Sequence, residues 1–181
     1  MIPDGAEWKQ DAELLAAIRN LPHALERATR CNWSAPVDAL TGGSLFTLGR
    51  GPSWAISNEA ALKFKETCQI HAESYSSAEV LHGPVSLVGE GFPVIAFAAG
   101  DAAETSLVET CDALSDKGAR VFAVSDRVTR ATSLPHVRTA HWLTDPIAAI
   151  VSFYGMVEAV ARRRGIDPDA PRHLNKVTAT V

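Results

Sequence analysis

Ser44-Leu45-Phe46-Thr47-Leu48-Gly49-Arg50-Gly51-Pro52-Ser53 is the stretch on which the reading of the chain turns. Ser44 to Leu48 forms a short apolar strand, stopped by a turn holding two glycines and a proline. Ser53 can cap a long helix that continues to about Gln69. The same alternation recurs downstream. Phe92 to Ala98 is a continuous apolar run, as expected of a strand buried on both faces. Glu104 to Lys117 has helical periodicity and ends at Gly118, a natural residue beyond a helix terminus. Arg120 to Val124 gives the next strand and Val137 to Trp142 a weaker one. Ile147 to Arg164 forms the last long helix, closed by Gly165.

Strand, helix, strand, helix, strand predicts an α/β fold, a three-layer α/β/α sandwich with a mainly parallel sheet. Ligands in such folds bind beyond the carboxyl ends of the strands. Upstream, Asp11 to Leu15 begins one apolar-periodic segment. Pro22 suits the first turn of a second, running to about Arg30, and Ser34 before Ala35-Pro36 resembles the cap of a third. Residues 1–40 are therefore expected to form a helical arm and residues 41–181 the α/β domain.

The 181 residues suffice for one domain with a full core. A net charge of −4, with no basic cluster beyond Arg162-Arg163-Arg164, argues against nucleic-acid binding. Cys31, Cys68 and Cys111 are odd in number and scattered, which suggests neither a disulfide framework nor a zinc pattern. The amino terminus has no basic start or apolar signal core, and Ile147 to Val160 is too interrupted and short to span a bilayer. A soluble cytoplasmic protein is expected, with no metal, no cofactor and no membrane or nucleic-acid partner.

Several residues could carry chemistry. The turn Gly49-Arg50-Gly51-Pro52-Ser53 could bring backbone amides to an anion at a helix start, although glycines are ordinary in tight turns. Glu59, Lys63 and Glu66 are spaced by four and then three residues, so they share a helix face. That spacing suits a solvated stripe of ion pairs, or a carboxylate base with a lysine close enough to tune it. His82, before Gly83-Pro84, is expected in a turn, where an imidazole can exchange protons or simply lie exposed. Lys176 stands near the end of a turn-rich tail that either frays or lends an amine to a site.

In order, these segments resemble the sugar isomerase (SIS) domain family, and in particular the second such domain of glucosamine-6-phosphate synthase-type enzymes. The resemblance rests on Leu48-Gly49-Arg50-Gly51, Glu59-Ala60-Ala61-Leu62-Lys63-Phe64-Lys65-Glu66, His71-Ala72-Glu73, Glu79 to Pro84, and the tail Asp167 to Thr178. It implies a flavodoxin-like sheet and an aldose–ketose or amino-sugar phosphate isomerase, or a deaminase-type relative. Glu66 would move a proton between C1 and C2 of an open-chain hexose phosphate. His82 would assist ring opening at the site of a neighbouring subunit, and Lys176 would meet the open-chain carbonyl. Lys63 would set the protonation of Glu66, and Glu59 would support the site. The implied partners are a sugar-phosphate ligand and either a second copy or a first isomerase domain.

Two departures qualify the resemblance. The family's phosphate loop is rich in Ser and Thr, whereas the matching stretch here is Ala98-Ala99-Gly100-Asp101-Ala102-Ala103, whose acid would repel a phosphate. The synthase's glutaminase needs a cysteine after the initiator methionine, and Ile2 stands there, so glutamine-dependent amide transfer is not expected. The chain is then half of an enzyme that is incomplete alone. The weak phosphate loop also admits a module that binds a sugar phosphate without turning it over.

Overall fold

The computed structural model of the chain describes residues 11–40 and 42–174. Helices α1 (Ala12–Ala28) and α2 (Ser34–Ala39) come first. Then follow β1 (Ser44–Gly49), α3 (Ser53–Cys68) and β2 (His71–Ser76). Two short 3-10 turns, Val80–His82 and Pro84–Leu87, lead to β3 (Pro93–Phe97), α4 (Glu104–Ser115) and β4 (Arg120–Val124). The pair Thr132–Ser133 forms β5, and α5 spans Asp145–Arg163.

The five strands pair in parallel in the order β2-β1-β3-β4-β5. Period-two alternation divides their side chains between two cores. Leu45, Ile95, Phe97, Phe122 and Val124 pack with Phe64 and Cys68 of α3 and with Phe153 and Val157 of α5. Phe46, Leu48, Val94, Ala96, Val121 and Ala123 pack with Leu107, Cys111 and Leu114 of α4 and with Val80. Both faces are dry, which is why β3 and β4 read as apolar runs and the core of β1 is broken only by the buried Thr47, whose hydroxyl donates to the Ser57 carbonyl. Phe153 anchors the first core, with Phe64 edge-on at 5.3 Å and Phe97 at 5.9 Å between ring centres. No helix among the described residues is long and apolar enough to cross a membrane.

The amino-terminal helices differ from expectation. Pro22 starts no new helix; it lies inside α1, which is continuous. Its missing amide costs one hydrogen bond on a side where Ile18 and Pro22 are both exposed, so water can serve the freed carbonyl. Ser34 is the first residue of α2 rather than its cap, and its amide donates to Asn32 Oδ1 at 2.9 Å. Ser53 likewise caps nothing: Pro52 precedes α3, and the buried Ser53 hydroxyl has no partner among the described residues.

Two strands also differ. Residues 137–142 form no strand, because Arg138 and Thr139 turn inwards to bind Asp145. The last strand is the exposed pair Thr132–Ser133 instead. His71–Ser76, with no apolar run to announce it, pairs residue by residue with β1 as an edge strand.

Candidate functional site

Because strand order reverses between β1 and β3, the fold's usual ligand crevice lies at their carboxyl ends. Here the protein's own groups crowd it. Gly51 adopts a left-handed φ of 57°, and a side chain there would meet Asp101 Oδ2 at 2.7 Å. Asp101 Oδ1 accepts the Ala103 amide at 3.0 Å, and Arg50 is drawn aside to donate to Ser106 Oγ at 3.1 Å. Next to this lies a buried network that the sequence reading missed altogether. Arg138 donates to Glu104 Oε1, to the Ala98 carbonyl at 3.0 Å and to Asp145 Oδ2 at 3.3 Å. Asp145 also accepts the Gly100 amide at 2.8 Å and the Thr139 amide at 2.7 Å, and Ser125 donates to Glu104. A cleft of about 440 Å³ remains at the glycine turn, lined by Arg50, Gly51, Trp54, Ser76, Ala78 and Glu79.

The charged stripe lies elsewhere. Glu66 is thirteen residues beyond Ser53, so helical rise puts it about 20 Å down α3 from the glycine turn. Lys63 Nζ donates to Glu66 Oε2 at 2.7 Å and stands 3.6 Å from Glu59 Oε1. All three side chains are about one-third exposed, with 29% for Lys63 and Glu66 and 33% for Glu59. Glu66 Oε1 has no hydrogen bond among the described residues, so one carboxylate oxygen is held and the other is open. From α5, Tyr154 donates to Glu59 Oε1 at 3.1 Å. It was not singled out from the sequence, and its only signal there is an aromatic set within a run of small aliphatic residues.

Charges tune one another across this face. The bond to Glu66 holds the Lys63 ammonium above its ordinary pKa, against partial burial and with help from Glu59. Burial, then the bond to Glu59, pushes the Tyr154 phenol up.

The structure thus brings Glu59, Lys63 and Glu66 together and adds Tyr154. Gly49, Arg50, Gly51 and Ser53 sit at the other end of α3. His82 closes a 3-10 turn after β2 whose Val80 packs into the second core, on the sheet face opposite α3. Within one chain His82 and Glu66 are therefore separated by the sheet. Lys176 lies outside the described residues. Among the described residues no group of three His, Cys, Asp or Glu converges to hold a metal ion.

The family model described as "SIS domain" matches residues 42–160. The chain belongs to the SIS domain family. This SIS domain is 32% identical over 180 residues to the isomerising glutamine–fructose-6-phosphate aminotransferase of Aeropyrum pernix, covering 93% of the chain and 29% of that protein. Among solved structures, a candidate phosphosugar isomerase from Silicibacter pomeroyi DSS-3 is 64% identical, with a TM-score of 0.85 over 91% of the chain and 50% of that protein. Tagatose-6-phosphate ketose/aldose isomerase from Escherichia coli shares the fold at a TM-score of 0.65 and 23% identity. The SIS domain spans under a third of the length of the curated relative and half of the solved one.

Proposed function

We propose that this SIS domain is the base-bearing half of a phosphosugar isomerase, acting between C1 and C2 of an open-chain hexose or amino-hexose phosphate. The observation that carries the reading is the Glu66–Lys63 pair, one carboxylate oxygen held at 2.7 Å and the other without a partner among the described residues, on a helix face about one-third exposed. Proton transfer next to a carbonyl needs a base on the carbon and a cation near the oxygen where negative charge develops. Glu66 Oε1 takes the proton from one carbon and returns it to the next. Lys63 stands beside the base on the same face, and Glu59 supports it.

The phosphate is assigned to a second half, since the SIS domain covers half of its solved relative and its own crevice is occupied by Asp101 and Asp145. His82, on the far side of the sheet from Glu66 in its own chain, serves the site of a neighbouring subunit. Lys176 reaches the carbonyl from the tail. Residues 1–40 act as the arm that joins the halves, and residues 41–181 as the catalytic domain.

The test is turnover of a panel of hexose and amino-hexose phosphates by the chain alone and with a phosphate-binding isomerase domain supplied. Activity should need both halves. Glu66→Gln should lower it by about 10²–10⁴-fold while leaving the thermal midpoint unchanged. Parental turnover by that variant ends the reading. Tight binding without turnover in the completed pair would make this a binding module instead.

A further inference from the structure

Lys63 sits between two carboxylates on one helix, and their intrinsic claims on it are unequal. Glu59 precedes the lysine by four residues, the more favourable arrangement for a helical ion pair. Glu66 follows it by three, against the helix dipole's preference. Helix physics alone would hand the ammonium to Glu59. The structure has the opposite outcome, with Lys63 at 2.7 Å from Glu66 and 3.6 Å from Glu59.

What differs between the two carboxylates is a third group. The Tyr154 hydroxyl donates at 3.1 Å to Glu59 Oε1, the same oxygen that faces Lys63. A carboxylate oxygen turned to a phenol is less free to swing onto the ammonium. We propose that Tyr154 is a positioning residue that engages Glu59 and so leaves Lys63 to Glu66. Its effect reaches the base through two side chains without touching the base itself. The inference rests on the reading of Glu66 as that base for its meaning in catalysis, though not for its geometry.

A plain structural role, pinning α5 to α3, is the competing explanation. Tyr154 is 44% exposed, and α3 and α5 are already joined by the buried Phe64–Phe153 contact, so the hydroxyl is not needed to hold the helices. Tyr154→Phe keeps the ring and removes only the donor.

The test uses the whole 181-residue chain and no substrate. Side-chain ammonium NMR reads the through-hydrogen-bond couplings from Lys63 Nζ to the carboxylate carbons of Glu59 and Glu66. In the parent the Glu66 coupling should dominate. In Tyr154→Phe it should fall about twofold as a Glu59 coupling grows, the change that a few tenths of a kcal/mol in ion-pair preference produces. In Glu59→Gln, adding Tyr154→Phe should change nothing, because the rival carboxylate has gone. Unchanged couplings in Tyr154→Phe overturn the proposal, and so does a loss that persists in the Glu59→Gln background. Neither outcome depends on turnover, so failure of Glu66 as the base would register separately, in the Glu66→Gln assay.

Discussion

Two of the places where carboxylates meet cations in this domain are built differently, and the contrast is instructive. At the carboxyl end of the sheet, Glu104 and Asp145 are 9% and 4% exposed, and Arg138, Gly100, Thr139 and Ser125 satisfy them. On the flank of α3, Glu59 and Glu66 share one lysine, and an oxygen of Glu66 stays open. A buried carboxylate must have every acceptor answered or the fold suffers, so little is left for a ligand. A half-exposed one adds little to stability and can keep an oxygen in reserve. At the strand ends these carboxylates are tied into the fold, whereas on the helix flank Glu66 keeps an acceptor without a partner among the described residues.

The sharpest way to break this contrast is Arg138→Met. It removes the guanidinium that two buried carboxylates share and should cost about 3–5 kcal/mol, lowering the thermal midpoint by on the order of 10 °C. Calorimetry would decide it, and a midpoint near the parent's would mean that the crevice is not structural.

Asp112 offers a smaller test, where α4 meets the loop that leads into β5. Burial alone would raise its pKa, but the amides of Ala131, Arg130 and Thr129 and the Thr129 hydroxyl bond to it and hold it down to about 2. A depressed folded value means that its contribution is fully present above the ordinary 3.8 and drains away as pH falls through about 2. Asp112→Ala should flatten the acid limb of stability in that window, followed by denaturant midpoints against pH. The smallest stability effect belongs to the flank. Lys63→Met should shift unfolding by less than about 1 kcal/mol in urea, so a large loss would place the stripe with the buried network.

These contrasts trace how far the sequence could be read. The central strands were legible because parallel strands buried on both faces leave few polar positions, as in Phe92 to Ala98. β2 was not, because an edge strand with one partner needs no apolar run, and His71-Ala72-Glu73-Ser74-Tyr75 has none. The α3 stripe followed from spacing, since three residues on one helix keep their geometry wherever the helix packs. Arg138, Asp145, Glu104 and Tyr154 were invisible for the converse reason. Glu104 meets Arg138 across 34 residues and Tyr154 meets Glu59 across 95, and no periodicity links any of the four.

Glu66 lies close to the last turn of α3, on a helix side that water can reach. A crevice between strands shelters its occupant by its own walls, whereas a flank shelters nothing until another surface is laid over it. Were Glu66 the base of the proposed reaction, its dryness would be a property of assembly, and the domain alone would hold only a water-facing carboxylate.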